Sequence, residues 1–346
     1  MYDTIVIGAG QAGLAVAYYL KKTKQKFVLL EKEGEAGDSW KSRYDSLILF
    51  TPRMYSSLPG MPFEGEEQGL PNKDEMSAYL KKYRERHKIP IHFHIEVVKV
   101  LMMNDHFLIK TNKDDYQAKN VVIATGAFQT ANIPSFAKDL STDINQLHSS
   151  EYRNPNQMAA GNVLIIGAGN SGAQIAVELS KERKTYLACN RKLKYLPMAI
   201  GGKSIFWWFD KCGILKAKNT SVLGEYMQQK GDPIFGFDLK RAINKRDIVI
   251  KKGVTGGIQN EVIFEDSSSL KVNNIIWATG YKTIYPWLKM DGVMNAAGKV
   301  IHNRGVTNIK GLYFIGLPWQ FRRGSALLLG VGNDAEYIVR KIDNRR

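Results

Sequence analysis

Residues 163–172 read VLIIGAGNSG, and this stretch decides the fold. Its four aliphatic residues predict a buried strand, and a helical pattern over residues 173–180 follows after a turn with the spacing Gly-x-Gly-x-x-Gly. In such a unit the first glycine makes the turn, the second lets the backbone approach a pyrophosphate, and the third packs the helix on the strand. The helix dipole then faces the phosphate charge. The stretch therefore predicts a dinucleotide site.

A near copy of this stretch opens the chain. Residues 5–13 read IVIGAGQAG, and residues 14–20 continue with a helical pattern. One such match is weak evidence, because glycine turns also serve packing alone, whereas two matches in the full strand–turn–helix context favour two dinucleotide sites.

The residue that ends the second strand of each unit separates the two sites. Glu31 lies 23 positions after Gly8, and a carboxylate there binds a ribose diol. Asn190 lies 23 positions after Gly167 and is followed by Arg191 and Lys192, two cations that suit a 2′-phosphate. We therefore expect FAD in the first site and NADPH in the second, with NADH as the weaker alternative there.

Composition narrows the class of protein. The chain has 346 residues, which is long enough to form two cores. Its hydrophobic content of 44% is ordinary for a globular protein, and its formal net charge is +16. The basic residues are dispersed and form no nucleic-acid motif, so a lysine-rich solvated surface is the favoured reading. We expect a small-molecule substrate and no nucleic-acid partner.

Cysteine usage and the start of the chain exclude further classes. Cys189 and Cys212 form no C-x-x-C pair, which argues against a redox dithiol, a disulfide framework and a zinc site. Because the chain opens on a predicted strand, we expect no signal peptide, and no apolar run is long enough to cross a bilayer. We therefore expect a cytoplasmic protein with no metal, and leave peripheral membrane contact and the choice of monomer or homodimer open.

Two further motifs predict how the domains are arranged. VVIATG at residues 121–126 and IIWATG at residues 275–280 each end a buried strand that follows its own nucleotide unit. The repeat predicts an α/β fold of two Rossmann-like domains, with the NADPH domain at 155–277 inserted into an FAD domain at 1–154 and 278–346. GLYFIG at 311–316 is the predicted last parallel strand, and a helix over 325–342 closes the chain.

Three segments between these motifs allow more than one interpretation. In the aromatic-rich segment 34–59, the rings wall a flat cofactor or fill a core, and both remain open. Residues 205–209, IFWWF, favour core packing over an exposed surface for a lipid, a second copy or a substrate. His92 and His94 fit a strand over 92–100 better than a metal site.

The motifs together resemble the flavin-containing monooxygenases. GAGQAG, GDSWKSRYDSLILFTP, VVIATG, HSSEYR, GAGNSG, IIWATGY and GLYFIG occur in that family's order, and the likeness covers essentially the whole chain. Within this class B flavoprotein family, the sequence is most similar to bacterial CzcO-like flavoproteins and also to plant YUCCA-type enzymes.

The resemblance implies which residues hold the cofactors. Those implied for FAD are Gly8, Gly10, Gly13, Glu31, Trp40 and Arg43, and those implied for NADPH are Gly167, Gly169, Asn170, Ser171, Gly172 and Arg191. Further implied cofactor-binding positions are Gln11, Ala12, Lys32, Thr125, Gly126, His148, Tyr152, Asn190, Thr279, Gly280 and Gly316. His148 and Tyr152 match the end of the family's identifying motif.

The implied catalytic positions are Asn170, Phe50 and Thr51. Asn170 either helps place NADP⁺ over the flavin or serves the turn alone, and the asparagine that animal members place beside the flavin falls at Phe50. The sequence departs from the family pattern there, at Thr142 and Ile144 before His148, and at Leu317, where related reductases carry an aspartate.

The implied reaction begins with hydride transfer from NADPH to the flavin. The reduced flavin then reacts with O₂ to a C4a-(hydro)peroxide that oxygenates a small soft nucleophile or carbonyl substrate. One alternative is an NADPH–flavin oxidoreductase that passes electrons to a quinone, metal ion or dye. A second is a redox-sensing flavoprotein that docks on a partner through residues 205–209.

Overall fold

The structure is a computed structural model, and it describes residues 1–344. The strands are β1 Tyr2–Ile7, β2 Phe27–Leu30, β3 Ile91–His92, β4 Val97–Met102, β5 Phe107–Thr111, β6 Tyr116–Ile123, β7 Thr130–Ala131, β8 Asn145–His148, β9 Val163–Ile166, β10 Thr185–Ala188, β11 Tyr195–Leu196, β12 Ala199–Ile200, β13 Lys203–Ser204, β14 Ile234–Phe235, β15 Ile248–Lys251, β16 Val254–Ile258, β17 Glu261–Phe264, β18 Ser269–Lys271, β19 Asn274–Trp277, β20 Tyr281–Lys282 and β21 Leu312–Phe314.

The helices are α1 Gln11–Leu20, α2 Asp38–Lys41, α3 Lys73–Arg86, α4 Asn170–Leu179, α5 Ile205–Lys211, α6 Val222–Lys230, α7 Asp238–Asn244 and α8 Leu328–Asp343. Short 3₁₀ turns occupy Arg53–Tyr55, Ser135–Asp139, Pro155–Gln157, Ile214–Lys216 and Arg323–Ala326.

The first sheet is built on the first glycine motif. Its strand order is β3-β2-β1-β6-β5-β4, with β21 also paired to β6. The strands β3, β2, β1, β6 and β21 run parallel, whereas β4 and β5 add an antiparallel edge. One face packs on α1, α3 and α8.

The second sheet is built on the second motif and is parallel throughout its described strands, in the order β15-β10-β9-β19-β8. Helices α4 and α7 cover one face, and the antiparallel meander β16-β17-β18 covers the other. These two sheets confirm the predicted α/β fold with two dinucleotide-binding units.

Both sheets reverse their strand order beside the glycine turn. The reversal lies between β1 and β6 in the first sheet and between β9 and β19 in the second. The carboxyl ends of parallel strands open a crevice at such a point, and ligands of doubly wound folds bind there. The fold therefore places one crevice in each unit.

A two-stranded ribbon joins the units. Strands β7 and β20 pair antiparallel. Strand β20 directly follows the second Ala-Thr-Gly turn, and β7 begins four residues after the end of the first. Strand β8 lies in the second sheet, and Ile144 and Tyr152 lie in its cores, on the far side of the predicted boundary at 154/155. We therefore propose the β7–β20 ribbon, rather than residues 154 and 278, as the place where the chain crosses between units.

Three local predictions need correction. The strand expected over 92–100 is two strands, β3 and β4, because His94 between them adopts a left-handed φ of 57°. The closing helix begins at Leu328 rather than 325, since a 3₁₀ turn occupies Arg323–Ala326. Segment 205–209 is only partly core, because Ile205 and Phe206 are buried whereas Trp208 is exposed.

Candidate functional site

The first glycine turn is held by close backbone contacts. Gly8 has a φ of 103°, which L-residues with a side chain rarely adopt. A methyl group on Gly13 would lie 2.0 Å from the carbonyl oxygen of Gly8. The turn also packs on Ala124 and Thr125, which follow strand β6. Glycine is therefore required here by the fold itself.

Polar side chains converge on this first crevice. The Glu31 carboxylate accepts hydrogen bonds from the backbone N–H of Ala9 at 2.6 Å and of Glu33 at 3.0 Å. The Trp40 indole N–H donates to the side-chain oxygen of Gln11 at 3.2 Å, across the start of α1. The sequence-predicted residues Gln11, Glu31 and Trp40 are thus brought to one turn.

The remaining positions implied for the first crevice surround it less tightly. Lys32 is exposed and pairs with Glu33. The Thr125 hydroxyl accepts from Gln129 at 3.0 Å, and Gly126 has a φ of 69°. A methyl group on Gly316, two residues after β21, would lie 3.2 Å from the side chain of Ala12.

The second glycine turn repeats the first. Gly167 has a φ of 106°, and a methyl group on Gly172 would lie 2.1 Å from the Gly167 carbonyl oxygen. Ala278 and Thr279, which follow β19, pack against Gly167 as Ala124 and Thr125 pack against Gly8.

The end of the second strand differs between the two crevices. Asn190 stands where the first unit has its glutamate, and Arg191 and Lys192 beside it are exposed. Among the described residues, no side chain or backbone group pairs with either cation. These charges are free for an anionic ligand.

The side-chain amide of Asn170 bonds to the protein backbone through both its nitrogen and its oxygen. Its amide N–H donates to the Pro233 carbonyl at 3.1 Å, and its amide oxygen accepts from the Phe235 N–H at 3.0 Å. Asn170 thereby fastens strand β14 to the start of α4, where its neighbour Ser171 is exposed.

His148 bonds to the second Ala-Thr-Gly turn. It is fully buried, and its Nε2 lies 2.9 Å from the Gly280 carbonyl oxygen, which only an N–H can satisfy. Its Nδ1 accepts from the Ser150 backbone N–H at 3.2 Å, so the imidazole is neutral. Burial lowers the pKa of His148, in agreement with that form.

Two neighbouring residues complete this support. The Thr279 hydroxyl donates to the Asn132 carbonyl, which ties the turn to the segment after β7. Tyr152 is fully buried, and its hydroxyl donates to Glu178 of α4 at 2.8 Å. His148 therefore holds the second Ala-Thr-Gly turn in place, and Tyr152 holds helix α4 in place.

The aromatic-rich segment 34–59 crosses from the first unit to the second. The Arg43 guanidinium donates to the Tyr281 hydroxyl at 2.6 Å, and the Tyr44 hydroxyl donates to Gln174 of α4 at 2.9 Å. Tyr44 is buried in a core of the second unit. Sequence reasoning missed Tyr281 as a contact, although it follows IIWATG directly.

An aromatic cluster lies between the two units. Phe50 stacks on Phe235 with ring centroids 4.6 Å apart and on Phe206 at 6.0 Å. Leu329, in the first turn of α8, packs against the same group. Thr51, next to Phe50, is buried. We call Phe50, Phe206, Phe209, Phe235 and Leu329 the aromatic cluster.

Both crevices fit a dinucleotide. Gly10 and Gly169 are the N-cap residues of helices α1 and α4, and within residues 1–344 no side chain caps either start, whereas Asn72 caps α3. A methyl group on Gly10 or Gly169 would meet no atom of the described chain within 4 Å. Free backbone amides above open space are what a pyrophosphate requires.

Other kinds of site are not evident in the part of the chain that the structure describes. That part holds no group of three or more His, Cys, Asp or Glu residues able to bind a metal, and Cys189 and Cys212 are free. None of its helices has the length and apolar character that crossing a bilayer needs.

Comparison with known proteins agrees with this geometry. Residues 5–195 match the profile of the family described as pyridine nucleotide-disulphide oxidoreductase. Oxidoreductase CzcO of Bacillus velezensis is 63% identical over 343 residues, which cover 99% of each chain. The probable indole-3-pyruvate monooxygenase YUCCA3 of Arabidopsis thaliana is 28% identical over 386 residues, covering 99% of this chain and 86% of its own.

A solved structure extends the likeness to three dimensions. The flavin-containing monooxygenase of Stenotrophomonas maltophilia superposes with a TM-score of 0.84 at 25% identity, covering 99% of this chain and 98% of its own. These findings confirm the predicted fold and the predicted resemblance.

Proposed function

The chain belongs to the pyridine nucleotide-disulphide oxidoreductase family, and from its likeness to the YUCCA3 and Stenotrophomonas maltophilia monooxygenases we propose that it is an FAD-dependent monooxygenase that takes its electrons from NADPH. The observation that carries the proposal is the aromatic cluster, which lies between two crevices that each fit a dinucleotide. A dithiol relay has no support, since Cys189 and Cys212 are 23 positions apart and form no C-x-x-C pair.

FAD is assigned to the first crevice. The amides at the start of α1 meet its pyrophosphate, and the Glu31 carboxylate accepts from a ribose hydroxyl. Gly8, Gly13, Gly126 and Gly316 shape the walls. The other side chains assigned to this crevice are Gln11, Ala12, Lys32, Trp40, Arg43 and Thr125.

NADPH is assigned to the second crevice. The amides at the start of α4 meet its pyrophosphate, and Arg191, aided by Lys192, meets the 2′-phosphate. Gly167, Gly172, Gly280, Ser171, Asn190 and Thr279 line the crevice. Asn170, His148 and Tyr152 are positioning residues, because each bonds to the backbone or a side chain that shapes it.

The flavin, when bound, supplies hydride acceptance and the reaction with O₂. The chain supplies orientation and a dry environment. Phe50, Phe206 and Phe235 stack where the units meet, and Thr51 beside them is buried, so these residues would keep water away from a flavin bound next to them. The substrates that suit such an apolar site are small soft nucleophiles or carbonyl compounds.

The test follows oxygen atoms. The FAD-loaded protein is supplied with NADPH and ¹⁸O₂ together with a thioether, a tertiary amine, indole or a cyclic ketone. Incorporation of ¹⁸O into any of these, with less peroxide released per NADPH oxidised, is the expected result. Release of one peroxide per NADPH in every case, with rapid reduction of quinones or dyes, would establish the electron-transfer alternative instead.

A further inference from the structure

A short hairpin projects from the second unit. Strands β12 and β13 are joined by Gly201 and Gly202, which have φ values of 57° and 74°, as a tight two-residue hairpin turn requires. Residues 199–203 are all exposed, and no atom of the described chain lies within 4 Å of a methyl group placed on either glycine. Ile200 is 50% exposed at this tip.

Helix α5 holds two tryptophans beside the hairpin. Ser204 caps the helix, while Ile205 and Phe206 anchor its inner face in the protein. The indole N–H of Trp208 donates to the Ile200 carbonyl at 3.1 Å, and Trp207 packs edge-on against Trp208 at 4.9 Å. The exposed apolar groups are therefore fixed by the fold. We call Ile200, Lys203, Trp207, Trp208 and Lys211 the hairpin–helix surface.

The charge of the segment that carries this surface is one-sided, although its foot at Ser204 bonds to Gln68, beside the exposed Glu66 and Glu67. Residues 194–218 contain five lysines, all exposed, and a single acidic residue, Asp210. Asp210 accepts a hydrogen bond from the Tyr55 hydroxyl at 3.2 Å, which holds it toward the first unit. The Lys211 ammonium lies 5.5 Å from the centre of the Trp207 ring, so cation and aromatic ring are presented together.

We propose that the hairpin–helix surface docks the protein on the headgroup region of an anionic lipid membrane. Tryptophan is favoured at the membrane–water interface because its ring is apolar and its N–H is polar. Lysines beside a short apolar insertion add attraction to anionic headgroups. The local excess of exposed lysines favours this occupant over a second copy of the chain, which would carry the same charge. The docking does not depend on the reaction catalysed.

The experiment is co-sedimentation of the FAD-loaded full chain with lipid vesicles. One set is pure phosphatidylcholine, and the other is an equimolar mixture with phosphatidylglycerol. We expect binding to the mixed vesicles, weakened by salt, and little binding to the neutral ones.

Matched variants separate docking from general adsorption. Ile200→Glu should abolish binding, whereas Ile258→Glu, at an isoleucine 63% exposed on β16, should not. Lys203→Glu and Lys211→Glu should each lower the partition coefficient by on the order of fivefold or more, and Lys113→Glu, at an exposed turn, should have a clearly smaller effect.

Three results would overturn the proposal. They are absence of binding to the mixed vesicles, equal loss with the control variants, and a dimer in sedimentation velocity that Ile200→Glu dissociates while no variant binds lipid. Retention of bound flavin and of its reduction by NADPH shows that each variant is folded.

Discussion

The two glycine turns of this protein have nearly the same backbone geometry. Gly8 and Gly167 have φ values of 103° and 106°, and the third glycine of each motif comes equally close to the first. What differs is the end of the next strand, where one unit has Glu31 bonded to the turn and the other has Asn190 followed by Arg191, whose guanidinium pairs with no group within residues 1–344.

The backbone at the turn and the side chains after the second strand have different roles. We propose that backbone geometry forms the pyrophosphate site in both units, because free amides at a helix start recognise any such group. In the same proposal, side chains after the second strand distinguish the ligands, since a carboxylate repels a phosphate and a guanidinium attracts it. Substitutions in each unit test whether these two roles are independent.

The largest effects should come from adding one methyl group to a turn. Gly13→Ala forces its Cβ to 2.0 Å from a carbonyl oxygen, so the first turn must open and the purified protein should lack FAD. Gly172→Ala does the same to the second turn, so that protein should keep FAD but lose reduction by NADPH. Flavin content and anaerobic reduction measure both, with dithionite as the control reductant. Equal loss of FAD in both variants would contradict independent turns.

The next effect should come from Glu31→Ala. Loss of a charged acceptor costs about 2–3 kcal/mol, which weakens FAD binding on the order of 50-fold. Asn190→Ala, the equivalent change in the second unit, serves as the control and should leave FAD affinity unchanged. Titration of the FAD-free proteins with FAD measures it, and similar affinities for the two variants would refute the assignment of Glu31.

A smaller effect should follow Arg191→Ala. Removal of the cation should raise KM for NADPH by about tenfold, which corresponds to 1.4 kcal/mol, and spare NADH because it lacks the 2′-phosphate. Lys181→Ala, at an exposed lysine of the same unit, is the control. Steady-state kinetics with both nucleotides decide the matter, and equal losses for both would end the 2′-phosphate assignment.

The smallest effect should be a change in pH dependence. Burial lowers the pKa of His148 below its ordinary value of about 6.5, so below that pH the unfolded chain binds a proton that the folded chain resists. Stability contributed by the neutral ring is therefore present above pH 6.5 and is lost as pH falls.

Replacing this histidine tests that sign. His148→Asn should flatten the fall in unfolding free energy between pH 7.5 and 5, whatever its effect at neutral pH. His92→Asn, at an exposed histidine, is the control. Denaturant unfolding at a series of pH values gives the slopes, and an unchanged slope for His148→Asn would argue against the buried neutral ring.

The sequence by itself determined the two strand–turn–helix units. Glycine spacing, strand periodicity and helix starts are local, so VLIIGAGNSG and IVIGAGQAG predict their geometry without knowledge of the rest of the chain. Helix α8 was also predicted, although its first residue was not, because a 3₁₀ turn and a helix share one local pattern.

Only the tertiary structure decided what the side chains between these units touch. Tyr44 pairs with Gln174 of α4, and Phe50 stacks on Phe235, far along the chain in the other unit. The same holds for Asn170 and His148, whose hydrogen-bond partners come from other loops. Such contacts depend on how the two sheets pack against each other, and the local sequence around each residue does not specify that packing. The glycine turns can therefore be predicted from the sequence. The contacts that form the aromatic cluster and the hairpin–helix surface are defined only by the folded chain.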